Sequence, residues 1–239
     1  EREYSHIVRK LEIIKMRSST YNSYPATFNI SCDGIQIYPH IARTLTYEIS
    51  KNRVTTGVLG IDAMTSKGYF EGSCILLAGA SGSGKTILSL QFINNGLELK
   101  EKCIYLTFEE SRSQLYRNGL AFGWDFEKYE KDGLLMIIPS YPEEKNLEEH
   151  INMIVKSVNA FNPKRLVMDS LSSLSSAFSD DILYGFTSRL IAFLKQRSVT
   201  HILTTATSLM GMSRITESHL STLTDVIQLL RYIEIESEF

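Results

Sequence analysis

The feature that most constrains this chain is a glycine-rich run of eight residues, GASGSGKT, at positions 79–86. It matches the phosphate-binding pattern G-x-x-x-x-G-K-[ST] at every fixed position. An apolar run precedes it at 74–78 and a helix-like pattern follows it, which is the order of strand, loop and helix that the motif requires. The sequence therefore predicts a nucleotide-binding loop, and a glycine-rich turn that binds nothing is the less favoured alternative.

Glycines in such a loop let backbone N–H groups approach phosphate oxygens, and the following helix points the positive end of its dipole at them. Lys85 is expected to reach the β- and γ-phosphates, and the Thr86 hydroxyl is expected to bind Mg²⁺. ATP and Mg²⁺ are therefore the predicted cofactors. The predicted binding residues of the loop are Gly79, Ser81, Gly82, Ser83, Gly84, Lys85 and Thr86.

The composition is that of a globular protein, with 43% apolar residues and a net charge of −2. Nothing in these totals indicates a nucleic-acid or membrane partner. No N-terminal stretch resembles a signal peptide and no apolar run reaches the length of a membrane span, so the sequence predicts a cytoplasmic protein. The cysteines lack zinc-binding spacing and are predicted to be reduced thiols, the last two buried in strands: Cys32, Cys74 and Cys103.

From residue 53 onward, short apolar runs alternate with helix-like patterns, as in α/β proteins. This alternation predicts a mostly parallel central sheet with helices on both faces and with functional residues at the carboxyl ends of the strands. Strands are predicted at 74–78, 103–108, 134–138, 166–169, 201–205 and 226–235. Helices are predicted after the glycine-rich loop and at 111–122, 147–159 and 182–196, with a further short helical region from 124.

Residues 1–39 differ in pattern from the rest of the chain. Two short strand-like runs, at 26–30 and 35–38, flank an Asp-Gly hairpin signal, which predicts a small β-rich segment. Residues 40–52 are polar with scattered apolar positions and are predicted to form a linker.

Acidic residues follow two of the predicted strands. Asp169 ends the run RLVMD and is predicted to hold Mg²⁺, with capping of the next helix as the alternative.

Glu109 and Glu110 directly follow the strand predicted at 103–108. One is expected to face the nucleotide and the other to face the solvent or a neighbour, because adjacent strand residues point in opposite directions. Glu109 is assigned as the general base and a further contact of the metal, with Glu110 as its partner; an acidic first turn of the next helix is the alternative. The predicted catalytic residues are Lys85, Glu109, Glu110 and Asp169.

Four segments together resemble the RecA-type ATPase domain of the KaiC family: GASGSGKT, TFEESRSQLYRNG, RLVMDSLSSL and TSLMGMSRITESHLSTLTD. The resemblance extends from residue 53 to the end, and the last segment resembles the second, autophosphorylating domain of that family. It implies a RecA-like P-loop fold, ATP hydrolysis, serine/threonine autokinase activity, a hexameric ring with ATP at subunit interfaces, and Kai-type protein partners. The phosphorylation sites of the family match Ser221 and Thr222, with Thr216 as a third hydroxyl, and Phe122 is a further expected contact of the nucleotide.

The segment LEIIKMRSST resembles the stretch that closes a KaiC domain, where a lysine and an arginine reach the γ-phosphate bound by a neighbouring subunit. Lys15 and Arg17 match those cations, although Ser18 stands where the family usually has glycine. The resemblance implies that residues 1–39 are the tail of a preceding ATPase domain, and that 53–239 form an ATPase and autokinase domain truncated before its own closing segment. A further expectation is that residues 1–39 fill the vacant sheet edge beside Val226, in their own chain or in a neighbour's.

Two other functions stay open at the level of the sequence. A DNA-dependent motor of the same fold would need basic mobile loops, and the candidate stretch at 208–214 holds one arginine and no lysine, which argues against it. A non-enzymatic switch, in which bound ATP only orders an oligomer, would share every motif named above. KaiC-like proteins occur with and without circadian clocks, and no motif of this sequence is specific to timing.

Overall fold

The computed structural model describes residues 9–21, 23–32, 34–38, 50–207 and 220–232. In these residues a central six-stranded sheet is flanked by helices, and a three-stranded antiparallel sheet precedes it in the chain. The predicted α/β fold of RecA-like type, with a small β-rich N-terminal segment, is confirmed.

The strands and helices are numbered in chain order. The N-terminal sheet consists of β1 (Arg9–Leu11), β2 (Ala26–Ser31) and β3 (Gly34–Tyr38). A two-stranded sheet follows, formed by β4 (Arg53–Val54) and β5 (Tyr69–Phe70), which are separated by α1 (Leu59–Met64). The central strands are β6 (Cys74–Gly79), β7 (Cys103–Thr107), β8 (Leu135–Pro139), β9 (Arg165–Asp169), β10 (Thr200–Ala206) and β11 (Val226–Leu230). The helices along the central sheet are α2 (Lys85–Glu98), α3 (Arg112–Leu120), α4 (Phe126–Lys131), α5 (Leu147–Phe161), α6 (Leu171–Ser175) and α7 (Asp180–Gln196), and short 3₁₀ helices lie at Pro142–Glu144 and Leu220–Thr222.

The central sheet has the strand order β11-β6-β10-β9-β7-β8, and every adjacent pair is parallel. Because parallel strands end at the same edge of a sheet, the carboxyl ends of β6, β7 and β9 lie close together. Thr107 at the end of β7 pairs with Asp169 at the end of β9, and Gly79 at the end of β6 pairs with Ala206 of β10. The glycine-rich loop and the predicted acids therefore meet at one edge of the sheet.

The inner strands β6, β7 and β9 are buried on both faces, which explains why they are mostly apolar. In β6, Cys74, Leu76 and Ala78 belong to a cluster formed with α5, α6 and α7. Ile75 and Leu77 belong to a second cluster formed with α2, α3 and α4. The strand that leads into the glycine-rich loop is therefore anchored in two cores.

A buried arginine links the helix after the loop to the strand that ends in Asp169. Arg165, at the start of β9, donates to the Phe92 carbonyl of α2 at 3.0 Å and to the Glu101 carboxylate at 2.6 Å. Gly96 of α2 makes this approach possible, since a Cβ there would lie 2.5 Å from the arginine Nε. The contact fixes α2 relative to β9, and hence the loop relative to Asp169.

The N-terminal sheet packs on α5 and not beside β11. Asn29 of β2 donates to Glu149 Oε1 of α5 at 2.7 Å, and Tyr38 of β3 is buried near the same helix. Among the described strands, β11 pairs with β6 alone. Within one chain, the described part of residues 1–39 therefore does not fill the sheet edge at Val226, because the hairpin makes its contacts on a helix instead. That these residues fill the edge of a neighbouring chain stays a prediction.

The predicted helices form, and polar side chains cap the start of two of them. The Ser111 side chain accepts from Gln114 N in a capping box at the start of α3, and Asp125 accepts from Lys128 N at the start of α4. Four predictions fall outside the described residues: most of the linker at 40–52, the basic-loop candidate at 208–214, Thr216, and the end of the strand predicted at 226–235.

Candidate functional site

Residues 79–86, called the phosphate loop from here on, connect β6 to α2. Gly82 and Gly84 have φ angles of 78° and 96°, in the left-handed region that favours glycine. There is no room for a side chain at Gly79, because a Cβ there would lie 2.5 Å from Ser83 Oγ. Since α2 begins at Lys85, its N-terminal N–H groups face the loop. The backbone thus has the form that binds phosphate oxygens.

Lys85 lies across the phosphate loop. Its Nζ donates to the Gly79 carbonyl at 2.9 Å and to the Ala80 carbonyl at 2.8 Å. The ammonium group is therefore held at the mouth of the loop by backbone oxygens, where a bound phosphate chain would meet it.

Asp169 is buried among hydroxyl groups at the end of β9. Its Oδ2 accepts from Thr86 Oγ1 at 2.9 Å and from Tyr105 Oη at 2.8 Å, and its Oδ1 accepts from Thr204 Oγ1 at 2.5 Å. Burial raises the pKa of Tyr105 and the neighbouring Asp169 charge raises it further, so this phenol stays a donor. These bonds tie Asp169 to the phosphate loop, and the N-cap position of α6 belongs to Ser170.

Thr86 and Asp169 fit the chemistry of a magnesium site. The Thr86 hydroxyl gives its proton to Asp169, which leaves its oxygen lone pairs for a cation. Mg²⁺ prefers oxygen ligands and usually takes the rest of its shell from water and substrate phosphates. Among the described residues no group of three or more His, Cys, Asp or Glu side chains could hold a metal ion, so a cation here would depend on the nucleotide for its remaining ligands.

Both glutamates after β7 face the cleft, which corrects the expectation that one of them points away. The strand ends at Thr107, and its hydroxyl accepts the N–H groups of Glu109 at 3.3 Å and of Glu110 at 2.9 Å. The chain therefore turns before the glutamates, and the alternation of a strand no longer applies to them. Both side chains line the cleft.

The two carboxylates have different surroundings. Glu109 is exposed, and its Oε1 accepts from Ser170 Oγ at 2.5 Å and from Ser173 Oγ at 2.7 Å. Glu110 is partly buried and accepts from Asn118 Nδ2 at 2.9 Å. Burial raises the pKa of Glu110, and the charges of Asp169 and Glu109 raise it further. The cleft thus holds one oriented, solvent-facing carboxylate, Glu109, and one partly buried carboxyl group, Glu110, whose pKa is raised above its ordinary value.

The cleft around these groups has a volume of about 410 Å³. Eight of the predicted catalytic and nucleotide-binding residues line it: Ser81, Gly82, Gly84, Lys85, Thr86, Glu109, Glu110 and Asp169. The other lining residues are Ile87, Asn118, Ser170 and Ala206. Gly79 and Ser83 shape the phosphate loop without lining the cleft.

Sequence reasoning missed five polar residues of this site. Tyr105 and Thr204 bind Asp169, Ser170 and Ser173 bind Glu109, and Asn118 binds Glu110. Tyr105 carried a usable signal, since it is a hydroxyl residue between apolar residues of a buried strand. Thr204 carried none, because β10 contains two further threonines and a histidine. The contact of both residues with Asp169 depends on the strand order β10-β9-β7, which the sequence does not state.

Three predicted nucleotide contacts do not line the cleft. Phe122 follows α3, and its ring stacks on that of Trp124 at a centroid distance of 4.9 Å. Lys15 and Arg17 are exposed on the segment after β1. Contact of these residues with a nucleotide stays a prediction.

The hydroxyl pair Ser221 and Thr222 lies in the 3₁₀ helix just before β11, an edge strand of the central sheet. Ser221 is half-buried and Thr222 is exposed. Asp225 fixes the start of β11, because its carboxylate accepts from Cys74 N and from Lys195 Nζ, both at 2.7 Å. The pair therefore lies at the amino end of the strands, opposite the edge that carries the phosphate loop.

Comparison with known proteins places these motifs in one family. A family model described as "ATPase: KaiC" matches residues 54–239. The chain is 41% identical to the "Circadian clock oscillator protein KaiC" of Synechococcus elongatus over 231 residues, which is 96% of this chain and 44% of that protein. Proteins of the same name from Prochlorococcus marinus and Thermostichus vulcanus are each 42% identical, over 96% of this chain and 45% and 44% of their own lengths.

The chain spans less than half the length of these relatives. In the part of the chain that the structure describes, no helix is both long enough and apolar enough to cross a bilayer.

Proposed function

Because this chain belongs to the KaiC family of ATPases, we propose that it binds Mg·ATP in the cleft at the phosphate loop and hydrolyses it. The observation that carries this proposal is the bond from Thr86 to Asp169, which joins the end of the loop to the acid of β9 beside Glu109 and Glu110. The same groups are used for phosphoryl transfer in P-loop enzymes.

Each group has a role that follows from its position. The loop N–H groups and Lys85 would bind the β- and γ-phosphates, and Thr86 and Asp169 would hold Mg²⁺, which withdraws charge from the γ-phosphate. Glu109 would take the proton of the attacking water. Both serine bonds to Glu109 are made to Oε1, which leaves Oε2 to accept that proton. The water oxygen would bond to the γ-phosphorus as the bond from that phosphorus to the β–γ bridging oxygen breaks, and ADP and phosphate would leave.

The direct test is incubation of the full-length protein with Mg²⁺ and γ-labelled ATP. Release of labelled phosphate is expected, and its absence despite tight ATP binding would leave only a nucleotide-dependent switch. Label that stays on the protein is mapped in the same experiment, which separates hydrolysis from transfer to a side chain.

We further propose that Ser221 and Thr222 accept the γ-phosphate in an autokinase reaction. Val226 pairs with Ile75 and Leu230 with Gly79, so the hydroxyl pair is separated from its own loop by the length of β11. At about 3.3 Å per residue this is on the order of 13 Å or more, too far for in-line attack within one chain. The distance supports transfer from a neighbour's ATP: a hydroxyl oxygen bonds to the γ-phosphorus, ADP leaves, and the neighbour's Glu109 takes the proton.

In the Ser221→Ala/Thr222→Ala double variant, stable labelling of the protein is expected to fall by at least about tenfold, because the acceptor oxygens are gone. Phosphate release is expected to persist, since neither residue lines the cleft. Phosphopeptide mapping after incubation with Mg·ATP measures the labelling, and a free-phosphate assay measures the release of phosphate. Undiminished label in the double variant would refute the assignment.

We propose that the active assembly is a hexameric ring with ATP at the subunit interfaces. Among the described residues that line the cleft, Lys85 is the one lysine or arginine, and it faces three carboxylates, Glu109, Glu110 and Asp169. A further cation from a neighbour would therefore stabilise the transition state. Lys15 and Arg17, exposed after β1, are proposed to act in this way on the γ-phosphate that the preceding domain of an adjacent subunit binds.

In a Lys15→Ala/Arg17→Ala variant of the full-length protein, turnover is expected to fall by up to about 10³-fold at the ATP sites that these two cations reach. Removal of an arginine finger has an effect of this kind in other enzymes. Its solution mass should still rise to that of a hexamer when Mg·ATP is added. Sedimentation with and without ATP, together with turnover measurements, tests both points. A monomer at saturating ATP in the parent protein would refute the ring.

We place the protein in a reducing compartment, the cytoplasm. Cys74 and Cys103 are buried free thiols, and burial raises the pKa of both, that of Cys103 to about 12. A role in a circadian oscillator is proposed from the names of the relatives, and Kai-type partner proteins are proposed from the resemblance to the family. A daily rhythm that persists unchanged after deletion of the coding sequence would refute that role.

A further inference from the structure

β11 ends beside the phosphate loop. Its last residue, Leu230, pairs with Gly79, the first residue of the loop motif. The approach is tight, because a Cβ on Gly79 would lie 2.9 Å from the Leu230 carbonyl oxygen. Two residues further on, Tyr232 donates its hydroxyl to the Gly82 carbonyl at 2.7 Å.

The position of Tyr232 is not that of a core residue. Its side chain is 67% exposed, and it does not line the cleft, whereas its acceptor Gly82 does. A hydrogen bond made in contact with water contributes little to the stability of the whole fold. The bond from Tyr232 instead acts locally on the tip of the phosphate loop, where Gly82 has a left-handed φ of 78°.

The bond fixes one peptide unit of the loop from outside the cleft. In a trans peptide the carbonyl and the N–H point in opposite directions. The Gly82 carbonyl is bound by Tyr232, and the N–H of the same unit, on Ser83, donates to the Ala80 carbonyl at 3.2 Å. Both ends of the Gly82–Ser83 peptide are thereby held.

A phosphate loop works only if its N–H groups face the anion and its carbonyl oxygens do not. The Gly79 and Ala80 carbonyls are bound by Lys85 Nζ, and the Gly82 carbonyl is bound by Tyr232. We propose that Tyr232 is a positioning residue for phosphate binding, which keeps the Gly82 carbonyl turned away from the β- and γ-phosphates. This role rests on the proposed binding of ATP at the same loop.

Tyr232→Phe removes the hydroxyl and keeps the ring. The loss of one hydrogen bond is expected to weaken ATP and ADP binding by about two- to tenfold. Adenosine has no phosphate to meet the loop, so its affinity is expected to stay unchanged, as is the melting temperature of the nucleotide-free protein. Titration calorimetry of the full-length protein with each ligand in Mg²⁺ measures the difference.

Tyr116→Phe is the control. Tyr116 also donates its hydroxyl, in this case to the Glu130 carboxylate, and neither residue lines the cleft. It should leave the affinity for all three ligands unchanged. Tighter or unchanged ATP binding in Tyr232→Phe would overturn the positioning role, and so would an equal loss for adenosine, which would indicate a contact with the base. A parent protein that binds no ATP would instead overturn the proposed function, and this role with it.

Discussion

Lys85→Ala is expected to abolish binding of Mg·ATP at micromolar nucleotide, a loss on the order of 10²-fold or more. The ammonium group is the one lysine or arginine charge among the described residues that line the cleft, and three carboxylates share that cleft. Without it, the β- and γ-phosphates would meet Glu109, Glu110 and Asp169 with no compensating side chain. The variant also loses the two bonds to the Gly79 and Ala80 carbonyls that hold the loop closed.

Equilibrium dialysis or calorimetry with ATP in Mg²⁺ measures this effect. Lys100→Ala is the matched control, because Lys100 lies exposed just beyond the other end of α2 and its removal changes the net charge by the same amount. Equal ATP affinity in Lys85→Ala and in the parent would show that the phosphate loop is not the nucleotide site.

The sequence predicts the strands, the phosphate loop and the acid of this site because each of them depends on a local pattern. The inner strands are mostly apolar runs since both of their faces are buried, and the phosphate loop needs glycine where Gly82 and Gly84 adopt positive φ. Asp169 could be assigned for the same reason, as the acid that ends a buried strand. Each of these features is determined by a few consecutive residues.

Features that depend on distant contacts were not predictable in this way. Tyr105 and Thr204 reach Asp169 from strands that flank β9 in the sheet and lie far from it in sequence. The orientation of Glu109 and Glu110 has a local cause that the sequence pattern does not show: β7 ends at Thr107, whose hydroxyl accepts from two backbone N–H groups. The alternation rule does not apply to the glutamates because they are the second and third residues after the strand end. The hairpin of β2 and β3 likewise gives no local sign that it packs on α5.

Glu109→Gln is expected to leave ATP affinity nearly unchanged and to slow hydrolysis by about 10²–10⁴. The amide has almost the same shape, and its oxygen can still accept from Ser170 and Ser173, so the side chain keeps its orientation. It cannot take a proton from water. Transfer to Ser221 and Thr222 is expected to slow as well, because the acceptor hydroxyl must lose its proton to the same group.

Glu110→Gln is the control for Glu109→Gln, because it removes one negative charge from the same cleft. It therefore distinguishes the loss of the general base from the loss of a negative charge. Glu110 is bound by Asn118 and its pKa is raised first by burial, so its higher proton affinity makes it the natural competitor for the role. We expect its replacement to cost less than tenfold in single-turnover hydrolysis, with ATP bound to saturation in both variants. A larger loss in Glu110→Gln than in Glu109→Gln would reverse the assignment, because the two amides differ only in which carboxylate can receive the proton.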